Sequence, residues 1–370
     1  MAEPLKNGLN PTAIQRLAHT VQRAHPSFDV PTFLKRSTRD LGPLELKERV
    51  AHVAHALRAT LPDPYPQALA IVVKSADHWQ RSNEADPLHG FAAWPLFSFV
   101  ELYGLDHFEL SLDALRDLTH LFTAEFALRP YLAHDPKKAF KILEKWTKHP
   151  SEHVRRLVSE GTRPRLPWAR KVAALIESPH PGLRLLEQLK DDRSEYVRRS
   201  VGNHLNDVTK DQPDLVISIC EQWLKDTNKN RRWIVERATR TLVKDGHPGV
   251  WPLLGFPLQP KVTCSKLKIT PRHLQLGGTL DLSFTLHNPS KRSQKLAIDY
   301  ALHFVKADGA TRPKVFKLKV LTLDPGETLA LGKRHPIKPI TTRKYYAGEQ
   351  GVELLINGQC FAQGLFTLRL

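Results

Sequence analysis

The chain has 370 residues, of which 41% are hydrophobic and 25% charged, a composition that is typical of folded proteins and excludes intrinsic disorder. No apolar run reaches the roughly 18 residues that a membrane-spanning helix needs. The net charge of +17 and the isoelectric point near 9.8 favour a polyanionic partner, usually a nucleic acid.

The positive charge is concentrated in the middle and at the end of the chain. Residues 1–136 hold 13 basic and 16 acidic side chains, whereas residues 137–244 hold 24 and 14, and residues 264–370 hold 17 and 7. We therefore expect the two later segments to face the polyanion.

The three cysteines (Cys220, Cys264 and Cys360) lack the spacing of metal ligands, which predicts reduced thiols. The opening "MAEPLKNGLNPTAIQ" lacks the basic and then apolar layout of a secretory signal, so we expect a cytosolic protein.

Residues 10 to about 255 are predicted to be helical. "PTAIQRLAHTVQRAHP", "ELKERVAHVAHALRATLP" and "LDALRDLTHLFTAEFALRPYL" carry apolar residues at intervals of three and four, with Pro or Gly at the ends. Residues 91–105 are apolar almost all round, which predicts a helix that is buried on several sides.

A repeat follows in the basic middle of the chain. "KHPSEHVRRLVSEG" (148–161) aligns with "DDRSEYVRRSVGNH" (191–204), and "DTNKNRRWIVERAT" (226–239) is a looser copy. An amphipathic helix precedes each copy, and helix, turn and second helix is the pattern of HEAT-like repeats. The paired arginines either line one surface of the stacked repeats or are solvated helix starts.

After residue 262 the pattern changes to alternating apolar and polar residues with turn residues between the runs. Six or seven short strands in this length predict an immunoglobulin-like sandwich. The predicted architecture is therefore multidomain, with an all-α HEAT-like repeat solenoid over residues 1–257 and an all-β immunoglobulin-like sandwich over residues 264–370.

Several common sites are absent from the sequence, namely GxxxxGK[ST], a Gly-rich dinucleotide turn and GxSxG. Eighteen histidines suggest metal binding, but pairs such as His149 and His153 have no third ligand at a credible spacing. We expect neither a metal nor a cofactor.

Acids inside the basic repeats are the remaining candidates for chemistry. Glu160 stands just before "GTRPRLP", Asp207 follows the second copy, and Glu125 is predicted on an otherwise apolar helix. Trp168 follows the prolines of the loop, where it either packs under the repeat or faces a ligand. Trp146 and Trp223 have the spacing of core residues.

The strings "SEHVRRLVSEGTRPRLPW" and "DDRSEYVRRSVGNHLNDVTKD" resemble the AlkC branch of the HEAT-like-repeat alkylpurine DNA glycosylases. The predicted sandwich is similar to the immunoglobulin-like domain of some members. The resemblance covers essentially the whole chain, and "VRRLVSEGxRPRLPW" is its specific part.

The resemblance implies a monofunctional glycosylase that removes cationic alkylated bases from duplex DNA, chiefly 3-methyladenine, with related enzymes linked to 3-methylcytosine. Members differ from most glycosylases in not swinging the base into a pocket. The expected partner is double-stranded DNA with alkylated bases, the expected state a monomer, and the expected location the bacterial cytoplasm near the nucleoid.

Carried over by motif position, the resemblance implies catalytic roles for Glu125, Glu160, Asp207 and Trp168. The arginines that it places on the DNA backbone are Arg155, Arg156, Arg163, Arg165, Arg198 and Arg199, and we expect Arg231, Arg232 and Trp233 of the third copy beside them. On this hypothesis phosphates occupy the arginines around Glu160, while its carboxylate faces the sugar.

Two other classes fit the residues, a non-catalytic HEAT-repeat protein that binds nucleic acid and a scaffold for an acidic protein. Acids within the basic surface argue against a simple phosphate binder, because they repel the ligand. A steep loss of affinity with salt would separate both DNA-binding hypotheses from the scaffold.

Overall fold

The computed structural model describes residues 4–79, 89–226, 228–341 and 343–370. Thr227 in the third repeat copy and Thr342 in the basic string "KPITTRKYY" (338–346) lie outside the described residues. The chain forms two compact units that divide between Asp211 and Gln212. Within the described ranges, no helix is long and apolar enough to cross a membrane.

The first unit is helical. Its α-helices are α1 (Pro11–Ala24), α2 (Val30–Thr38), α3 (Leu46–Arg58), α4 (Tyr65–Lys74), α5 (Trp94–Tyr103), α6 (Phe108–Leu118), α7 (Arg129–His134), α8 (Pro136–Trp146), α9 (Glu152–Gly161), α10 (Ala173–Glu177), α11 (His180–Leu189) and α12 (Glu195–Val208).

Local sequence accounts for several helix starts. The side chains of Asn10, Asp29 and Asp135 accept hydrogen bonds from backbone N–H groups in the first turns of α1, α2 and α8. A proline occupies the first or second position of each of these helices, where no backbone donor is lost. These starts can therefore be predicted without knowledge of the tertiary fold.

The first two repeat copies form successive helix pairs, α8 with α9 and α11 with α12. The second helices α9 and α12 pack on each other, so corresponding positions of the two copies face one another. Trp146 ends α8 and is buried, as its spacing predicts.

The helix predicted across "LDALRDLTHLFTAEFALRPYL" is wrong in its middle. Helix α6 ends at Leu118, and α7 begins only at Arg129, where Pro130 takes an early helical position. Glu125 consequently lies in the turn that precedes α7, not on a helix.

The described part of the second unit begins with four helices, α13 (Pro213–Trp223), α14 (Lys229–Ala238), α15 (Arg240–Lys244) and α16 (Val250–Leu253). Nine strands follow within its described part, namely β1 (Thr263–Cys264), β2 (Lys268–Thr270), β3 (His273–Gln275), β4 (Thr279–His287), β5 (Gln294–Val305), β6 (Thr311–Leu323), β7 (Thr328–Pro336), β8 (Gly348–Ile356) and β9 (Gln359–Arg369).

These strands form two sheets. In one, β4 pairs antiparallel with β1, β2 and β7, and the other has the order β3-β9-β8-β5-β6. One continuous apolar core is drawn from both sheets. The multidomain architecture of helical repeats followed by an immunoglobulin-like sandwich is thus confirmed.

The strand count exceeds the predicted six or seven because β1, β2 and β3 have only two or three residues, too few to show alternation. The side chains of Trp251 and Ala297 share a small apolar cluster, so α16 and β5 pack together inside this unit. The predicted domain limits at residues 257 and 264 stay a prediction.

Candidate active site

Three carboxylates that are distant in sequence come together in the first unit. Glu125 lies in the turn before α7, Glu160 in the last turn of α9 and Asp207 in the last turn of α12. Each is less than 8% exposed to solvent. Buried carboxylates require ionic or hydrogen-bonding partners, and here two arginines supply them.

Arg156 joins the first two carboxylates. Its guanidinium hydrogen-bonds to Oε2 of Glu125, to which the Thr123 hydroxyl also donates, and its Nη2 lies 3.6 Å from Oε1 of Glu160. The guanidinium carbon lies 5.3 Å from the ring centroid of Tyr196, within the range of a cation–π contact.

Arg163 joins Glu160 to Asp207. Its Nη1 donates to Oε1 of Glu160 at 2.5 Å, and its Nε donates to Oδ2 of Asp207 at 2.8 Å. The Ser200 hydroxyl donates to the other oxygen of Glu160 at 2.6 Å, and Lys210 approaches Asp207 at 3.1 Å.

Glu125, Arg156, Glu160, Arg163 and Asp207 therefore form one line of alternating charges, which we call the carboxylate–arginine chain. Three carboxylates meet two guanidinium groups in it, so the line carries one excess negative charge before Lys210 is counted. A cation that arrives beside this line meets a preformed set of anionic oxygens.

The environments of the two glutamates differ. Burial raises the pKa of Glu125, and Arg156 offsets this only in part. Burial also acts to raise the pKa of Glu160, but Arg156, Arg163 and the Ser200 hydrogen bond outweigh it and lower the pKa below its usual value. Glu160 is consequently an anion at neutral pH, whereas Glu125 is the more readily protonated carboxyl.

Trp168 has an exposed side chain. This exposure excludes packing under the repeat, which was one of the two positions that the sequence left open. The residue is 57% exposed, and its φ of 65° lies in the left-handed region that bulky residues rarely adopt. Lys47 donates a hydrogen bond to its carbonyl oxygen. The side chain thus stands in solvent at the end of the loop that carries Arg163.

The arginines nearest Glu160 are paired with carboxylates of the protein. Arg156 and Arg163 are largely buried and donate hydrogen bonds to the carboxylates. The structure therefore favours the interpretation that these two arginines hold the acids in place. Arg155 is also buried, with a two-point ion pair to Asp192. Their predicted phosphate contacts stay predictions, against which these pairings count.

In the first two repeat copies, the first of the two paired arginines closes the turn of its own repeat. Arg155 donates to the carbonyls of His149 and Pro150, and Arg198 donates to those of Asp192 and Arg193. This recurring contact explains part of the repeat pattern without DNA.

The other predicted DNA contacts are more exposed. Arg165 pairs with Asp211, and Arg199 pairs with Glu195 on its own helix. In the second unit Arg231 pairs with Asp226, Arg232 is exposed, and half-buried Trp233 lies 5.7 Å from the guanidinium carbon of Arg237.

Sequence reasoning missed Tyr196, Ser200 and Arg129, which contact the carboxylate–arginine chain or the loop beside it. Tyr196 stands at the same repeat position as His153, so the register alone could have drawn attention to it. Arg129 has no such marker, because its contacts are to backbone carbonyls that are distant in sequence.

Among the described residues, no three His, Cys, Asp or Glu side chains are grouped so that they could hold a metal ion.

Known proteins and protein families match both the helical part and the sandwich part of the chain. A family model described as "DNA alkylation repair enzyme" matches residues 121–242, and one described as the C-terminal Ig-like domain of the uncharacterised protein YhaZ matches residues 263–370. Uncharacterized protein YhaZ of Bacillus subtilis (strain 168) is 38% identical over 356 residues, which cover 96% of each chain.

The structure of the Pseudomonas fluorescens alkylpurine DNA glycosylase AlkC, bound to DNA containing an abasic site analog, matches over the full length of both chains. The identity is 38% and the TM-score is 0.92. Helical repeats of the alkylation-repair type joined to an immunoglobulin-like domain place the chain in the class of DNA alkylation repair proteins. Within that class, the chain belongs to the AlkC-type alkylpurine DNA glycosylase family.

Proposed function

We propose that this protein is a DNA glycosylase that hydrolyses the N-glycosidic bond of cationic alkylated bases in duplex DNA, chiefly 3-methyladenine and also 3-methylcytosine. The product is an abasic site. The observation that carries the proposal is the meeting of three buried carboxylates on two arginines, in a family whose relative AlkC was solved with abasic-site DNA.

The substrate class fits the charges of the site. Methylation at N3 gives the base a positive charge, so it leaves without protonation by the enzyme. Cleavage leaves an oxocarbenium-like sugar, the same developing cation as in glycoside hydrolysis. Because arginines already hold the carboxylates in place, the carboxylates do not have to rearrange as that cation forms. Such preorganised charges stabilise a transition state effectively.

Glu160 is the proposed stabiliser of the sugar cation, because its lowered pKa keeps it ionised and Ser200 and Arg163 hold both of its oxygens. Glu125 is the proposed base for the attacking water, since its raised pKa makes it the better proton acceptor. Asp207 completes the negative charge and orients Arg163.

Trp168 is proposed to contact the cationic base and its deoxyribose, because an exposed indole offers a cation–π face. Attack at the sugar can take place from the groove, so we propose that the base need not enter a pocket, in contrast to most enzymes that act on bases. No lysine is assigned as a nucleophile, and we propose a monofunctional enzyme that does not cut the strand.

Basic residues at the surface are proposed to bind phosphates, with half-buried Arg165 and exposed Arg199 and Arg232 as first candidates. The basic loops of the sandwich, "NPSKRSQK" (288–295) and "KPITTRKYY" (338–346), are proposed to add to this binding. The protein is proposed to act as a monomer in the bacterial cytoplasm, near the nucleoid. Affinity for duplex DNA should then fall steeply as salt increases.

The decisive test is release of free 3-methyladenine from methylated duplex DNA by the wild type and by Glu160→Gln. Glu152→Gln is the matched control, because Glu152 is an exposed acid on the same helix, α9. We expect Glu160→Gln to lower the single-turnover rate by about 10²- to 10³-fold, the usual loss for one electrostatic contact to a transition state.

Binding to undamaged duplex should be retained by both variants, and circular dichroism checks their folding. Near-normal release by Glu160→Gln would remove Glu160 from the chemistry. No release by the wild type, with salt-sensitive binding intact, would leave a DNA-binding protein without this activity.

A further inference from the structure

The loop of residues 161–170 connects the end of α9 to the segment before α10 and presents Trp168. It holds two prolines and has few backbone hydrogen bonds of its own, among them those from Arg163 to Glu160 and from Ala169 to Leu166. Contacts from other elements must therefore determine its shape.

Arg129 provides three of these contacts. Its Nη1 donates to the carbonyls of Gly161 at 2.9 Å and Arg163 at 2.7 Å, and its Nε donates to that of Arg170 at 3.0 Å. One guanidinium thus connects both ends of the loop. Arg129 is 2% exposed, and none of these three contacts is to a carboxylate.

Arg129 also lies four residues after Glu125, at the start of α7. The same short segment therefore carries a carboxylate of the carboxylate–arginine chain and the side chain that holds the Trp168 loop. Glu160 immediately precedes Gly161, one of the carbonyl partners. A shift of Arg129 would change the position of the indole relative to both glutamates.

Lys47 on α3 provides a further contact, through its hydrogen bond to the Trp168 carbonyl. A left-handed backbone at a bulky residue costs on the order of 1–2 kcal/mol, so it persists only where neighbouring groups hold it. Lys47 binds at the strained residue itself, and Arg129 binds at the two ends.

We propose that Arg129 and Lys47 are positioning residues that hold the 161–170 loop so that Trp168 stands beside the carboxylates. The proposal rests on the proposed function for its catalytic consequence, while the ordering of the loop stands on the contacts alone. Neither residue touches the reacting atoms in this scheme. Both act through Trp168.

Arginine is required because three carbonyls are reached by one planar group with fixed donors. Lysine keeps the charge but reaches these carbonyls through a single flexible ammonium. Arg129→Lys should therefore retain the buried cation and lose the joint hold on both loop ends, which makes it the informative variant.

The first measurement is limited trypsin digestion of the full chain, since the loop offers cleavage sites after Arg165 and Arg170. We expect Arg129→Lys to increase initial cleavage at these sites about tenfold, because cleavage follows local opening. Cleavage after Arg39, which is exposed in the first unit, is the internal control and should not change.

The second measurement is the single-turnover rate of base release. Arg129→Lys should lower it about tenfold with the Kd for undamaged duplex unchanged, because small misplacements of contacting groups are costly. In a Trp168→Ala background the same substitution should cause no further loss. Additive losses in the double variant would overturn the proposal, as would unchanged trypsin cleavage.

Lys47→Met provides a second variant if Arg129→Lys folds poorly, because Lys47 is exposed. We expect about threefold slower release and faster loop cleavage, with Lys35→Met on α2 as the control lysine. Absence of release by the wild type would refute the proposed function alone, and the trypsin comparison would still decide whether Arg129 and Lys47 order the loop.

Discussion

Replacement of Arg163 by methionine should strongly destabilise the first unit. The side chain of Arg163 is 8% exposed and pairs with Glu160 and Asp207, whose side chains are 8% and 3% exposed. Methionine fills a similar space but leaves both carboxylates without their closest cation. Arg156, at 3.6 Å from Glu160, and Lys210 then remain the nearest positive charges.

Removal of one partner of a buried ion pair costs about 3–5 kcal/mol, because the charge left behind is uncompensated. In a unit of this size each kcal/mol lowers the melting temperature by about 2–4 °C, so we expect a fall of about 6–20 °C. Arg165 provides the matched control two residues further on. It also makes a two-point ion pair, but its side chain is 29% exposed.

An exposed pair contributes about 0.2–1 kcal/mol, so Arg165→Met should lower the melting temperature by less than about 4 °C. The assay is thermal unfolding of the full chain at neutral pH, followed by circular dichroism at the helical signal. Adding Asp207→Asn to Arg163→Met should recover part of the loss, because it removes one of the uncompensated charges.

Equal destabilisation by Arg163→Met and Arg165→Met would refute the reasoning, since burial is the only difference on which it depends. No recovery by Asp207→Asn would show that the loss comes from packing and not from charge.

Three further outcomes follow from the same unit. Gly161→Ala should cost about 1–3 kcal/mol in urea unfolding, because a Cβ there would lie 2.5 Å from Cδ2 of Leu128, and a variant as stable as the wild type would contradict this contact. Burial lowers the pKa of His204 to about 4, so as pH falls from about 6.5 the unfolded chain takes up a proton on this residue before the folded chain does. The free energy of unfolding should therefore drop by about 3 kcal/mol towards pH 4. His204→Gln should show a flatter dependence on pH, and an unchanged slope would exclude His204 as its source. The rate of base release should fall as the solution is acidified, at a pH above the usual carboxyl range, because the pKa of Glu125 is raised. The residual activity of Glu125→Gln should not show this acidic fall, and a fall that persists in the variant would assign it to another group.

The helices and strands could be predicted because their causes are local. Apolar spacing, a capping Asn10 or Asp135 and the following proline act within one or two turns, so they are visible in a single sequence. The middle of the helix predicted around Glu125 was wrong, since the pattern continues through a segment in which Pro130 sets a new start.

The residues of the candidate site could be named from motifs, but not their partners. The sequence shows that Glu160 has arginines around it, and the same sequence fits phosphates or carboxylates as the ligands of Arg163. Only the packing of α9 on α12 brings Asp207 to that guanidinium. Burial then decides between phosphate and carboxylate as the ligand of Arg163, because a buried guanidinium must pair with an anion that is already within the protein.

By itself, the sequence determined the element types, the repeat, the basic character and the family, since each depends on composition or on short spacings. The tertiary structure alone decided that Arg156 and Arg163 hold the acids, that Trp168 is exposed, and that Arg129 connects both ends of its loop. The contacts of Arg156 with Glu125, of Arg163 with Asp207 and of Arg129 with its loop join residues about 30 to 45 positions apart. Their distances depend on how helices pack and not on any local pattern.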